Sequence, residues 1–300
     1  MQQFNSTLVL SSSFDNPIIS DKIIREVSLL TFASPKILWP KISIEFSLKK
    51  QKLKLNLLDK LRKFLKKYKI DVNIVRYNKS CPRQKKLLVA DMDSTLIQSE
   101  SLDDLAKFYG MQNKIQQITS DAMNGKIDYQ SSLKKRVELL KGLSSKHIET
   151  IKQNIHYNKG AKKLVSTMKN NGAKCALATG GFYNIANKVK NDLNMDFIQA
   201  NKIEIINKKF TGKLIEPILD HNSKLKFLEK LSKELNISIQ CTCSIGDGAN
   251  DIEIIKSSEM GVAFKGKEKL KKNTDFILDY SDLTGLLFLQ GYTKKQIEIN

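Results

Sequence analysis

The 300-residue chain reads as an α/β protein: a Rossmann-like parallel sheet covered by helices, with a helical cap inserted into it and a smaller α/β unit in front. Three observations carry that reading. From residue 87 onward, short apolar runs recur, each closed by a polar or glycine-rich turn and followed by a helical stretch. Runs that are apolar on both faces suit a parallel sheet buried between helices. Residues 98–158 break this rhythm with helical patterning throughout, and residues 1–80 carry strand and helix signals of their own before a polar stretch.

Taken in order, residues 8–10 predict a strand, 21–30 a helix, and 42–46 a strand, because Ile42, Ile44 and Phe46 alternate with polar residues. A lysine-rich amphipathic helix over 53–68 leads to a further strand at 72–75. This β-α-β-α-β order is compatible with an ACT-like regulatory fold, or with a dimerising or structural unit. Pro82 and its charged neighbours mark 77–86 as a linker. The sheet runs follow at 87–90, 175–178, 241–245 and 261–264. Between the first two, Leu133, Val137 and Leu140 form one buried helical stripe, and 203–214 alternates around Asn207-Lys208-Lys209 as a hairpin. The expected division is 1–80, a cap over 98–158, and a core made of 81–97 and 159–300.

With 41% apolar and 7% aromatic residues the chain can bury a large core. Cys81, Cys175, Cys241 and Cys243 do not form a disulfide framework, and Cys241-x-Cys243 lacks the spacing of a zinc pair. Reduced thiols of a cytoplasmic protein are expected. No apolar run approaches the roughly 20 residues that span a bilayer, and residues 8–10 lack the length and basic flank of a signal peptide. The formal net charge of +20 raises the question of nucleic acid. Yet nearly all the excess is lysine scattered over predicted helices, and only Arg25, Arg62, Arg76, Arg83 and Arg136 offer the fork suited to bases and phosphates. Solvated helix faces that draw in a small anionic substrate are expected, with neither nucleic acid nor membrane as partner. A homodimer is compatible with the sequence.

The chemistry gathers at the carboxyl ends of the predicted strands, where ligands of parallel sheets bind. Asp91-Met92-Asp93-Ser94-Thr95 puts two carboxylates directly after the run at 87–90. Charges held so close need a counter-cation, and magnesium prefers such oxygens while keeping waters for a phosphate. An EF-hand is excluded, since Leu96 stands where that loop needs glycine and no glutamate follows at its twelfth position. Ala178-Thr179-Gly180-Gly181 closes the second run with a hydroxyl and two glycines, whose amides can approach an anion. Lys224 opens a helix after Pro217 and Asp220. Gly246-Asp247-Gly248-Ala249-Asn250-Asp251 packs two carboxylates, an amide and two glycines into six residues after a buried strand, more acid than a plain turn requires.

Asp91-x-Asp93-x-Thr95, Thr179, Lys224 and Gly246-Asp247-Gly248-x-Asn250-Asp251 occur in the order of the four motifs of the haloacid dehalogenase superfamily, and the sequence resembles it over roughly 86–295. Within it, Asp91 through Ile97, Glu100, Ala122 through Tyr129, Ser132 through Val137, and Gly180-Gly181-Phe182 are similar to phosphoserine phosphatases. That resemblance implies a sheet of the haloacid dehalogenase type with a helical cap, and hydrolysis of O-phosphoserine, the last step of serine biosynthesis, through an aspartyl phosphate. It implies Asp91 as nucleophile and Asp93 as general acid and base. Magnesium would be held by Asp91, Asp247 and the carbonyl of Asp93, with Asp251 behind them. Thr179, Gly180, Gly181, Lys224 and Asn250 would hold the phosphoryl oxygens. A buried Glu100 and Arg136 would read the amine and carboxylate of the substrate, and Met123 and Tyr129 would wall the pocket. Thr179 stands where these enzymes often have serine, and Tyr129 where phenylalanine is frequent.

Overall fold

The computed structural model describes residues 4–48, 57–123, 126–220 and 222–298. The amino-terminal part runs β1 (Asn5–Ser11), α1 (Asp21–Thr31), β2 (Pro35–Trp39), β3 (Ser43–Leu48), α2 (Leu57–Lys66) and β4 (Asp71–Tyr77). Its four strands form an antiparallel sheet in the order β2-β3-β1-β4. The β-α-β-β-α-β order is that of a ferredoxin-like split βαβ. It corrects the sequence expectation by one strand: β2 lies at the sheet edge with only Leu38 buried, so no alternation announces it. The lysine-rich helix is described from residue 57, and its expected start at 53 lies outside the described residues.

One face of this sheet packs Leu8, Leu10, Ile44, Phe46 and Val72 against Ile23 and Val27 of α1 and Leu61 and Leu65 of α2. The lysines of α2 stay outside for the same reason that its leucines turn in: spacing of three and four residues gathers the apolar side chains into one stripe. Val9, Leu38, Ile42 and Val75 belong instead to the large core of the second sheet.

That second sheet is built from β5 (Leu87–Ala90), then, after helices α3 (Ser101–Lys107), α4 (Gln112–Met123), α5 (Tyr129–Glu138), α6 (His147–Gln153) and α7 (Ala161–Asn170), from β6 (Lys174–Phe182). Helix α8 (Tyr183–Asp192), β7 (Phe197–Ile206), β8 (Lys209–Ile215), α9 (Ser223–Glu234), β9 (Thr242–Gly246), α10 (Ile252–Ser257), β10 (Met260–Phe264), α11 (Glu268–Lys271), β11 (Phe276–Leu278), α12 (Gly285–Leu289) and α13 (Lys294–Glu298) complete it. Seven strands run β11-β10-β9-β5-β6-β7-β8, all parallel except β8, which returns antiparallel on β7 as the predicted hairpin. Placing β5 between β6 and β9 brings the turns that follow these three strands side by side. All four cysteines are free thiols, with Cys241 in a turn before β9.

The two sheets meet edge to edge. The Asn73 side chain donates to Ile277 O and accepts from Ile277 N, both at 2.9 Å, so one amide completes the open edge of β11. Beside it the buried Asp71 carboxylate accepts from the backbone N–H groups of Asp279 (2.8 Å), Tyr280 (3.1 Å) and Ser281 (2.8 Å) and from the Ser281 hydroxyl (2.7 Å). Each such bond contributes about 1 kcal/mol net, and leaving a buried donor unmet costs more. The stretch 77–86 is no loose linker: Cys81 and Lys85 are buried, and Arg83 pairs with Glu45 at 2.6 Å while donating to the Phe288 and Leu289 carbonyls.

Candidate active site

Asp91 follows the last residue of β5, tied to the neighbouring strand by its own N–H donating to Ile245 O. The chain then leaves the sheet through an irregular turn in which Ser94 adopts a positive φ of 54°. Buried Met92 and Leu96 anchor this turn from below, and the Asn158 side chain donates to the carbonyls of Ser94, Thr95 and Ile97.

The turn after β9 presents Asp247 and Asp251. Gly246 is required there by close approach, since a Cβ would run into the Asp251 carboxyl group. Asp251 is 1% exposed and accepts from Gly248 N at 3.1 Å. Lys224, in the first turn of α9, reaches between the strand ends: its Nζ lies 2.6 Å from both Asp91 Oδ1 and Asp251 Oδ1. Asp91, Asp247 and Asp251 each offer an oxygen within 4.8 Å of the others.

Burial raises Asp91 well above the usual carboxylate range, and repulsion from Asp251 and Asp247 adds to this while Lys224 opposes it. Asp247 is pushed up to about 6, by burial and then by Asp251. Burial pulls Lys224 down, but Asp251 and Asp91 outweigh it and hold the ammonium above the ordinary lysine value. One buried cation thus faces three buried acids, a set of hard oxygens with net negative charge that suits a divalent cation.

Asp93 is oriented separately. Its Oδ1 accepts from Ser101 N at 2.9 Å and its Oδ2 from Ser101 Oγ at 3.2 Å, at the start of α3. Burial and the Glu100 charge push it up to about 7. Beside β5 in the sheet, β6 carries Thr179, Gly180 and Gly181, and a Cβ at Gly181 would come within 2.9 Å of Asp93 Oδ2. The Gly181 amide donates to Thr179 Oγ1 at 2.9 Å, and buried Asn201 donates to Gly180 O while accepting from Leu219 N. Asn250 lies half-buried beside Gly248.

A model of the haloacid dehalogenase-like hydrolase family matches residues 88–256, more than half of the sequence. The chain belongs to the haloacid dehalogenase-like hydrolases. This hydrolase is 41% identical over 215 residues to a probable phosphoserine phosphatase of Schizosaccharomyces pombe, covering 71% of this chain and 72% of that one. It is 34% identical over 229 residues to a phosphoserine phosphatase of Mycobacterium tuberculosis, where the match spans 76% of this chain and 56% of the relative. Among solved structures, a phosphoserine phosphatase with an analogue of its phospho-aspartyl intermediate superposes with a TM-score of 0.65 at 36% identity, over 70% of this chain and all of that one.

The inserted helices contribute Tyr129 and Arg136, both on α5. Arg136 is half-buried and its Nε lies 3.4 Å from Ser132 O; burial lowers its pKa, while Tyr129, Asp103, Glu100 and Asp93 act in the opposite sense. Glu100 corrects the sequence reading, which expected it buried: it is exposed, with its Oε1 accepting from Ser94 Oγ at 2.8 Å. Its place as the residue capping the start of α3 leaves the carboxylate in water. The Met123 side chain lies outside the described residues. Four residues absent from the sequence-based site belong to its framework: Ser101, Asn158, Asn201, and Lys267, whose Nζ is 3.9 Å from Asp247 Oδ2. Among the described residues no helix of this hydrolase is long and apolar enough to cross a membrane.

Proposed function

We propose that this hydrolase cleaves O-phosphoserine to serine and phosphate through a phosphoryl group carried on Asp91. The observation that carries the proposal is the bridging of Asp91 and Asp251 by the Lys224 ammonium at 2.6 Å each, beside Asp247. Lys224 holds Oδ1 of Asp91, which leaves Oδ2 to form the new bond to phosphorus. As the ester P–O bond breaks, the serine oxygen takes the proton of Asp93. With a value near 7 this carboxyl can both give a proton to the leaving oxygen and take one from the water that releases phosphate from Asp91. Lys224, Thr179, the Gly180 amide and Asn250 supply positive ends and donors to the phosphoryl oxygens, where charge must be stabilised, and the Gly181 amide joins them on giving up its bond to Thr179 Oγ1.

The donor set fits magnesium, with the Asp91 and Asp247 side chains and the Asp93 carbonyl as its holders and Asp251 supporting them. Bound there, the ion offsets negative charge on the phosphoryl group. Arg136 and Glu100, with charges matching a carboxylate and an ammonium, supply preference for an amino-acid ester. In this reading residues 98–158 form the cap that closes over the substrate and 1–80 a separate unit fixed to the core.

Phosphate release is to be measured for O-phosphoserine beside a panel of sugar, nucleotide and aryl phosphates, with magnesium and with chelator. Preference for phosphoserine that vanishes with chelator supports the proposal. Preference for another ester discards the substrate assignment and keeps the catalytic one.

A further inference from the structure

Tyr129 is the first residue of α5, and its ring packs against the main apolar core. Its hydroxyl lies over Gly180. A Cβ built at that glycine would collide with the hydroxyl oxygen, whereas the next atom, Cζ of the ring, is 3.4 Å away. The O–H, and not the ring, therefore fills the space above the segment that follows Thr179. The charges that act on it come from both sides of the cleft: Lys224, Asp91 and Asp93 from the core, and Arg136 from its own helix. Burial raises the phenol further above its ordinary value, so it stays protonated at neutral pH and can donate. Among the described residues, no protein acceptor takes its hydrogen.

We propose that the Tyr129 hydroxyl donates a hydrogen bond to a phosphoryl oxygen of the bound ester, so that the cap touches the same group that the core binds. This rests on the site being a phosphoryl-transfer centre, not on phosphoserine being its substrate. A phenylalanine at 129 would line the cleft with the same ring and donate nothing, so the contribution resides in a single O–H. Because that O–H is carried by α5, the contact exists only while the cap is closed. Exclusion of bulk water and stabilisation of the transferring group are thereby coupled.

The test compares the 300-residue chain with its Tyr129→Phe variant, both with magnesium. The readouts are inhibition by orthovanadate, kcat/KM on O-phosphoserine and on p-nitrophenyl phosphate, and the thermal midpoint. Loss of one hydrogen bond to a charged group predicts about 10- to 100-fold weaker vanadate inhibition. Similar losses are expected on both esters, with an unchanged midpoint. Unchanged vanadate inhibition overturns the proposal, and so does a loss confined to phosphoserine, which would move the contact to the amino-acid end. A second pair guards the geometry. Gly180→Ala weakens vanadate inhibition strongly in the presence of Tyr129 and much less in the Tyr129→Phe background; equal penalties in both overturn the placement. If the wild-type protein cleaves the aryl ester and not phosphoserine, the proposed substrate fails while the vanadate comparison still decides the role of Tyr129.

Discussion

Replacing Lys224 by methionine removes a charge and keeps a linear side chain of similar length. In the wild type the ammonium makes two 2.6 Å contacts to carboxylates whose side chains are 5% and 1% exposed, so water has little access to either. Stranding one partner of a buried ion pair costs roughly 3–5 kcal/mol. For a chain of this size that corresponds to a fall in Tm on the order of 10 °C. The sign with pH follows from the direction of the shift. Asp91 sits above its unfolded value, and loss of Lys224, which pulls it down, moves it higher still. A carboxyl raised in the folded state binds more protons there than in the unfolded chain, so its contribution is complete at low pH and lost as pH rises through the folded value. The deficit of Lys224→Met relative to wild type is therefore smaller at pH 5 than at pH 8. Thermal unfolding in chelator, so that no divalent cation takes the place of the ammonium, measures it at both values. A shift below about 2 °C at pH 8, or one of equal size at both pH values, refutes the reasoning.

Three further outcomes are expected. Asp93 holds its proton below about 7, so kcat on an ester with a poor leaving group falls above that pH; Glu100→Gln, which removes a repelling charge, moves the alkaline limb to lower pH, and a limb that stays in place would detach Glu100 from Asp93. Arg136→Ala lowers kcat/KM for phosphoserine roughly 100-fold and leaves an aryl phosphate nearly unaffected, whereas equal losses on both would mean that Arg136 does not read the substrate carboxylate. Asp71→Ala leaves three backbone N–H groups and the Ser281 hydroxyl unmet at a buried seam, a loss of roughly 3 kcal/mol or more by urea unfolding, with residues 279–281 newly open to protease. A change under about 1 kcal/mol would show that the seam relaxes freely.

What the sequence made legible was whatever follows a buried strand. Asp91 after 87–90 and Asp247 after 241–245 stand out because a carboxylate at the end of an apolar run has no ordinary reason to be there. The hairpin was equally readable, and its turn residues Asn207 and Lys208 take the positive φ values, 50° and 59°, that right-handed strand twist favours in a two-residue connection. Partners distant in sequence left no local trace. Asn201 is an ordinary polar residue in a strand until Leu219 and Gly180 are folded onto it, and Asn158 serves carbonyls more than 60 positions earlier. Strand β2 was invisible because an edge strand with one buried residue shows no period-two pattern, and the exposure of Glu100 depends on what packs over the start of α3, which no spacing encodes.

The clasp of Asp71 and Asn73 onto residues 277–281 also sets an order of assembly during synthesis. The acceptors emerge from the ribosome first, and their donors lie 204 to 210 positions later. At ordinary elongation rates of about 5–20 residues per second the interval is on the order of 10–40 s. Throughout it the first sheet carries Val9, Leu38, Ile42 and Val75 on a face whose cover, Leu286 through Leu289, has yet to be made. That apolar face therefore stays open to solvent until residues 286–289 have left the ribosome, and ribosome-bound chains extended far enough for them to emerge should bind an apolar dye much less than chains in which they are still in the exit tunnel.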